Sequence, residues 1–132
     1  MIRSSAPEVR KEKRKSLFLQ ELTPIFRELL SDPRLAKGDL DLLSKLYINR
    51  VDLSADGGMI YVFFATFEEP GQQIFDEAFK VLKYFKKTMR HAFAQQVPSR
   101  YTPDLLFFYD AAKEKERRIE ELFDKVAQQN KE

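Results

Sequence analysis

Lys80, Lys83, Lys86, Lys87 and Arg90 lie in one stretch, KVLKYFKKTMRH (80–91), that contains no acidic residue. The acid-free run continues through Arg100. The chemistry open to such a set is neutralisation of a polyanion, because like charges at helical spacing repel one another until phosphates or carboxylates compensate them. Lysines on a helix face are ordinarily a solvated surface, but such surfaces usually mix signs and so gain pair stabilisation. A second basic segment, MIRSSAPEVRKEKRKS, sets Arg3, Arg10, Lys11, Lys13, Arg14 and Lys15 against Glu8 and Glu12. A basic leader of this composition also reads as a transit peptide or a disordered tail. Net charge is only +2, so the distribution of charge rather than its total points to a polyanionic partner.

Other chemistries lack the residues they need. With one histidine, no cysteine and four glycines, the chain offers no histidine pair for zinc, no serine–histidine nucleophile and no glycine-rich phosphate cradle. His91 sits at the margin of the basic stretch without a residue that would orient it as a base, and reads as a surface side chain. Asp52, Asp56 and Asp110 flank strand-like segments, where acids usually form turns. No catalytic residue, metal or cofactor is expected, and the protein is expected not to be an enzyme. The absence of cysteine suits a reducing compartment, and hence the cytoplasm. The longest apolar stretch, 59–67, falls far short of the roughly 20 residues that span a membrane, so a soluble protein is expected.

The elements that must carry these residues follow from periodicity. Phe18, Leu22, Ile25, Phe26, Leu29 and Leu30 recur at three- and four-residue steps and predict a helix over 8–31. Pro24 either bends that helix or opens a fresh one capped by Thr23. Residues 31–39 read as a loop. Over 46–54 the apolar phase slips by one residue, which predicts a strand with a bulge near Asn49 and Arg50. Asp56-Gly57-Gly58 supplies a tight turn into a second strand, 59–67, and so an antiparallel hairpin. A long helix is expected from about residue 72 to 96. Its apolar residues Val81, Leu82, Phe85, Met89, Ala92 and Phe93 fill an arc of about 120°, and its cations fill about 140° on the opposite side.

Residues 104–110 make a third strand. Ile119, Leu122, Phe123 and Val126 predict an amphipathic helix at the C-terminus. The fold class is α+β: a three-stranded sheet with helices packed on one face, plus the C-terminal helix. On the other face Tyr47, Tyr61, Phe63, Leu106 and Phe108 would form an aromatic surface of the kind that stacks RNA bases. The signature of such sheets is missing, however, and the C-terminal helix is expected to cover this face.

Several strings in this order resemble one family: SDPRL (31–35), VDLSAD (51–56), IYVFF (60–64), Leu82 and Arg90 in the long helix, and above all RYTPDLLFFYD (100–110). On these strings the chain resembles bacterial ribosome-binding factor A. The resemblance implies a type II KH-like domain, helix-strand-strand-helix-helix-strand, over 8–110, with a basic tail at 1–7 and the C-terminal helix and tail at 111–132. It also implies binding to the free 30S ribosomal subunit and its 16S rRNA, near the neck and decoding region. The implied role is assistance with late subunit maturation and 16S rRNA 5′-end processing, without catalysis, cofactor or membrane. Phe85, Lys86 and Lys87 occupy the positions where the family carries an Ala-x-Gly kink between its central helices, which predicts a weaker kink or a continuous helix.

The residues expected to meet rRNA phosphates are Lys80, Lys83, Lys86, Lys87 and Arg90, extended by Arg100 and by Arg10, Lys11, Lys13, Arg14 and Lys15. Arg34 and Arg50 are weaker candidates in loop and bulge positions. A monomer is expected. The alternative reading is a protein-interaction module whose basic helix docks an acidic partner.

Overall fold

A computed structural model describes residues 6–129 of the protein, and the basic tail expected at 1–7 lies outside the described residues as far as residue 5. The first helix, α1 (Ala6–Leu29), runs unbroken through Pro24. Proline costs the helix the amide that would bond to the Gln20 carbonyl. Pro24 and Gln20 both lie on the exposed side, where water can take the place of that amide, while Leu22, Ile25 and Phe26 stay buried. Thr23 does not cap a new helix; its hydroxyl donates to the Leu19 carbonyl at 2.8 Å, one turn back.

The loop expected over 31–39 ends earlier, because Lys37–Leu43 forms a short helix, α2. Its seven residues include a glycine and too little periodic sequence to announce a helix. Leu43, completely buried, holds it in place. The next strand, β1 (Leu46–Leu53), pairs antiparallel with β2 (Met59–Thr66), and the register shifts between Ile48 and Arg50, where the sequence predicts a bulge. In the connecting turn Asp56 Oδ1 accepts hydrogen bonds from Ser54 Oγ at 2.7 Å and Gly58 N at 2.9 Å. Gly57 alone takes a positive φ there, 74°, a conformation glycine adopts without a Cβ penalty.

From the end of β2 the chain enters α3 (Gly71–Gln96), and a parallel strand, β3 (Asp104–Tyr109), then adds beside β2 to give the order β1-β2-β3. Joining two parallel strands requires α3 to run back along the sheet. It starts tightly packed: a Cβ on Gly71 would overlap the Tyr109 hydroxyl and stand 2.8 Å from Thr66 Oγ1. It then continues without interruption through Phe85, Lys86 and Lys87. The two central helices that the resemblance implies are therefore a single helix. No glycine occurs after its first residue, and Phe85, buried among the core residues, anchors the segment where the break would fall.

Ile60, Val62 and Phe64 of β2 and Leu105 of β3 are completely buried against α1 and α3. Edge-to-face ring pairs tie α1 to α3, Phe18 to Phe93 at 5.1 Å, and α1 to the sheet, Phe26 to Phe64 at 5.3 Å. The last helix, α4 (Ala111–Gln129), does not cover the outer face of the sheet as the sequence suggests. Its Ile119, Leu122, Phe123 and Val126 are 44, 61, 69 and 53% exposed, and Phe108 on the sheet is also exposed. The outer face is shielded locally instead. Arg50 lays its guanidinium 3.7 Å above the Phe63 ring, and Phe63 stacks on Phe108 at 5.5 Å. Among the described residues no helix is long and apolar enough to cross a membrane.

Candidate nucleic-acid interface

The return path of α3 brings its C-terminal end to the start of β3. Arg90 fastens it there, donating hydrogen bonds to the carbonyls of Thr102 at 2.9 Å and Pro103 at 3.3 Å. The start of β3 meets the hairpin turn, since Asp104 N donates to Gly58 O at 3.0 Å. The N-terminal part of α1 reaches the same turn, where the Arg14 guanidinium stands 3.7 Å from the position a Cβ on Gly57 would occupy. Four separate segments thus meet at one end of the molecule, and three of them bring cations.

Two concave surfaces at this end are basic. Arg10, Lys11 and Arg14 line a recess of about 390 Å³ whose floor is the 53–57 turn, with Asp56 as its one acid. Lys87, Arg90 and Arg100, with His91, Tyr101 and Thr102, line an open cleft of about 660 Å³ that has no acid in its wall. The remaining candidates lie apart from these. Lys80 and Lys83 continue the cationic face towards the start of α3, Lys80 beside Asp76 and Phe108, Lys83 with its ammonium 5.8 Å from the Phe79 ring centre. Lys86 is half-buried and Lys13 is exposed.

Some cations serve the fold itself. Lys15 pairs with Glu12 and Asp52, both at 3.1 Å, and its pKa is pushed up by the hydrogen bond to Asp52 first and that to Glu12 second. That pairing ties α1 to β1. Arg34 donates to both carboxylate oxygens of Asp32 at 3.0 and 2.8 Å, reaches Thr88, and lies 5.0 Å from the Phe85 ring centre. Its hydrogen bonds hold the Asp32 carboxyl at about 2. Arg50 pairs with buried Asp110 at 2.9 Å. Arg90 is both exposed in the cleft and committed to the 102–103 carbonyls, so its first role is to position the loop.

His91 contacts Gln95 at 3.2 Å and is exposed. Among the described residues no group of three or more His, Cys, Asp or Glu could hold a metal ion. Two side chains outside the sequence-based set belong to this surface. Tyr101 is 82% exposed in the cleft beside Lys87 and Arg100, and Tyr84 is 71% exposed on α3. Tyr84 lies one turn from Lys80 on one side and Lys87 on the other, so helical spacing already places it at the edge of the cationic arc.

Comparison with known proteins bears on this architecture directly. A family model described as ribosome-binding factor A matches residues 10–123. The chain belongs to the ribosome-binding factor A family. A ribosome-binding factor A of Syntrophomonas wolfei is 31% identical over 123 residues, covering 92% of this chain and 94% of that one. Another, from Nitrosococcus oceani, is 32% identical over 114 residues, covering 85% and 80%. Among solved structures, a crystal structure of ribosome-binding factor A from Thermus thermophilus superimposes with a TM-score of 0.57 at 25% identity, over 75% of this chain and 94% of that one. A Thermus thermophilus ribosome-binding factor A fitted into the cryo-EM map of a 30S complex gives 0.51 at 26% identity, over 71% and 88%. The α+β architecture is accordingly the KH-like fold of ribosome-binding factor A, here with an uninterrupted α3.

Proposed function

We propose that this protein is a cytoplasmic assembly factor that binds the free 30S subunit through 16S rRNA phosphates and assists late subunit maturation, including 5′-end processing, without catalysing a reaction itself. Family membership supports the ribosome as partner, as does the 30S complex in which a structural neighbour was placed. The observation that carries the reading is the convergence of cations from separate segments on one end of the fold. Arg10, Lys11 and Arg14 come from α1, Lys87 from α3 and Arg100 from the loop before β3, and they line two concave surfaces. Phosphate contacts of this kind fix position and orientation and supply most of the affinity. Chemistry would then belong to nucleases that act on a subunit held in a competent state. One copy per subunit suffices for this role.

The test is co-sedimentation with salt-washed 30S and 70S particles, comparing the wild type with a Lys80, Lys83, Lys87 and Arg100 to Gln variant. Arg90 is left intact because it holds the 102–103 backbone. Binding of the wild type to 30S alone, lost in a variant with an unchanged melting curve, is the expected outcome. Absence of 30S binding, or equal binding by the variant, overturns the proposal. Binding that survives digestion of the rRNA would favour an acidic protein surface as the partner instead. For the maturation role, depletion in the cell should raise the fraction of 16S rRNA with an unprocessed 5′ end, read by primer extension.

A further inference from the structure

We infer that Tyr84 and Tyr101 form a stacking platform for unpaired nucleotides, so that the basic end of the fold engages single-stranded rather than helical RNA. The inference rests on the rRNA reading above and adds the class of RNA that the site takes. Both rings are largely exposed, 71% for Tyr84 and 82% for Tyr101, the two highest values among the exposed large hydrophobic side chains of the described residues. No acid lines the cleft of Tyr101, and on the face of α3 that carries Tyr84 the one acid within two turns is Glu77. Tyr84 shares its face of α3 with Lys80, Lys87 and His91, and Tyr101 shares its cleft with Lys87, His91 and Arg100. Lys87 and His91 therefore bridge the two rings. Along α3 the distance from residue 84 to residue 91 is about 10 Å, so more than one nucleotide is needed to reach from one ring to the other.

The Tyr84 ring and the Tyr101 backbone are also held in place before any ligand arrives. Tyr84 packs edge-to-face on buried Phe85, with ring centres 5.0 Å apart. Tyr101 is carried on a short loop whose backbone is clamped: its own carbonyl accepts a hydrogen bond from Ser99 Oγ, and the carbonyls of Thr102 and Pro103 accept from Arg90. An ordered aromatic beside cations is the combination that binds single strands, the cations tracking phosphates while each ring offers a face to a base. Paired bases are stacked on one another and present no free face, and the deep, narrow major groove of an RNA helix excludes side chains. On the aromatic face of the sheet, by contrast, the Arg50 guanidinium already occupies the Phe63 ring.

The chain contains no tryptophan, so Tyr84→Trp and Tyr101→Trp each install a single fluorescent reporter. Each is titrated with an unstructured uridine-rich oligoribonucleotide and with an RNA duplex of equal length. Quenching by the single strand and not by the duplex is expected. In parallel, Tyr101→Ala should weaken single-strand binding by about 5- to 150-fold while leaving the slope of affinity against salt unchanged. Lys87→Gln should instead reduce that slope by about 0.7. Wild-type affinity in both Tyr84→Ala and Tyr101→Ala, or equal quenching by the duplex, overturns the stacking platform while leaving the rRNA reading in place. A wild-type protein that binds neither the oligoribonucleotide nor 30S particles overturns both.

Discussion

α3 and α4 carry the same kind of sequence pattern and meet opposite fates. Each places apolar residues at three- and four-residue steps. In α3 the stripe of Leu82, Phe85, Met89 and Phe93 is buried, whereas in α4 the stripe of Ile119, Leu122, Phe123 and Val126 stays exposed. The difference lies in what the chain path brings opposite each helix. The parallel crossover forces α3 back over the inner face of the sheet, where α1 completes the layer. α4 follows β3 directly and is held by polar bonds in its first half. Tyr109 donates to Glu114 at 2.7 Å, Lys113 N donates to Asp110 at 3.2 Å, and Arg117 donates to the Thr66 carbonyl at 3.0 Å. Beyond Arg117 every described residue of α4 is exposed. Periodicity therefore specifies a helix and its apolar face, while topology decides whether that face finds a partner.

The largest test of this contrast is truncation within each stripe. Phe85→Ala should cost about 3–5 kcal/mol, because a completely enclosed ring leaves a cavity that its neighbours cannot fill. Phe123→Ala, chemically the same change, should fall within about 0.5 kcal/mol of wild type. Urea unfolding of both variants at one temperature gives the comparison. A cost for Phe123→Ala approaching that for Phe85→Ala would mean that α4 is packed in solution after all.

Asp110 is the next largest expectation, since it joins the sheet to α4. Its carboxylate, 2% exposed, accepts from Asn49 at 2.9 Å, Arg50 at 2.9 Å and Lys113 N, and it precedes the first residue of α4 in the manner of an N-cap. Burial alone would push this carboxyl up, but the hydrogen bonds from Asn49, Lys113 N and Arg50 together hold it below the usual range. A lowered folded pKa means that the unfolded chain binds the proton more readily. The stabilisation is thus complete above the unfolded value of about 3.9 and is lost as pH falls through the lower folded one. Asp110→Ala should cost about 2 kcal/mol at pH 7, combining a lost cap with a lost charged hydrogen-bond acceptor. Below pH 4 the stability gap between wild type and variant should narrow, and a gap that stays constant down to pH 2 would remove Asp110 from the acid response.

Two truncations then divide α4 itself. Ending the chain after residue 118 keeps all three polar attachments and should leave the melting temperature nearly unchanged. Ending it after Ala112 removes Lys113, Glu114 and Arg117 and should cost about 2 kcal/mol, in line with the loss of three partly buried hydrogen bonds. Loss of stability already at residue 118 would show that the apolar stripe contributes.

The same division explains which features were legible in the sequence. Strands, hairpin, bulge and the long helix rest on local periodicity and turn chemistry, and Asn49, Gly57 and the α3 stripe sit where those signals place them. α2 escaped because a single buried leucine, Leu43, sustains it through tertiary contact rather than pattern. The open outer face escaped because Arg50, which shields Phe63, is set in place by Asp110, 60 residues further along the chain. Among the candidate phosphate ligands, composition located the cations but did not distinguish those committed to the fold from those left open. Lys15 and Arg90 look like Lys11 and Lys87 until their partners across the fold are known. Tyr84 is placed by helical spacing beside the cations, but an uncharged side chain carries no mark of its own in a charge pattern.

The smallest expected effect sharpens that last distinction. Lys15 and Lys87 are both counted in the basic surface, yet Lys15 neutralises Asp52 and Glu12 within the molecule, whereas Lys87 lines a cleft without an acid. If about five phosphates are engaged, affinity for a single RNA strand should fall by about a hundredfold between 50 and 200 mM salt. Lys87→Gln should lower the slope of that dependence by about 0.7, the share of one released counterion. Lys15→Gln should leave the slope as it is, since removing a cation already matched by carboxylates releases no counterion from the RNA. Its effect belongs to stability instead, within about 1 kcal/mol for a partly exposed pair. Equal slopes for the two variants would mean that RNA draws Lys15 away from Asp52, and that the cations of α1 are redistributed on binding rather than fixed by the fold.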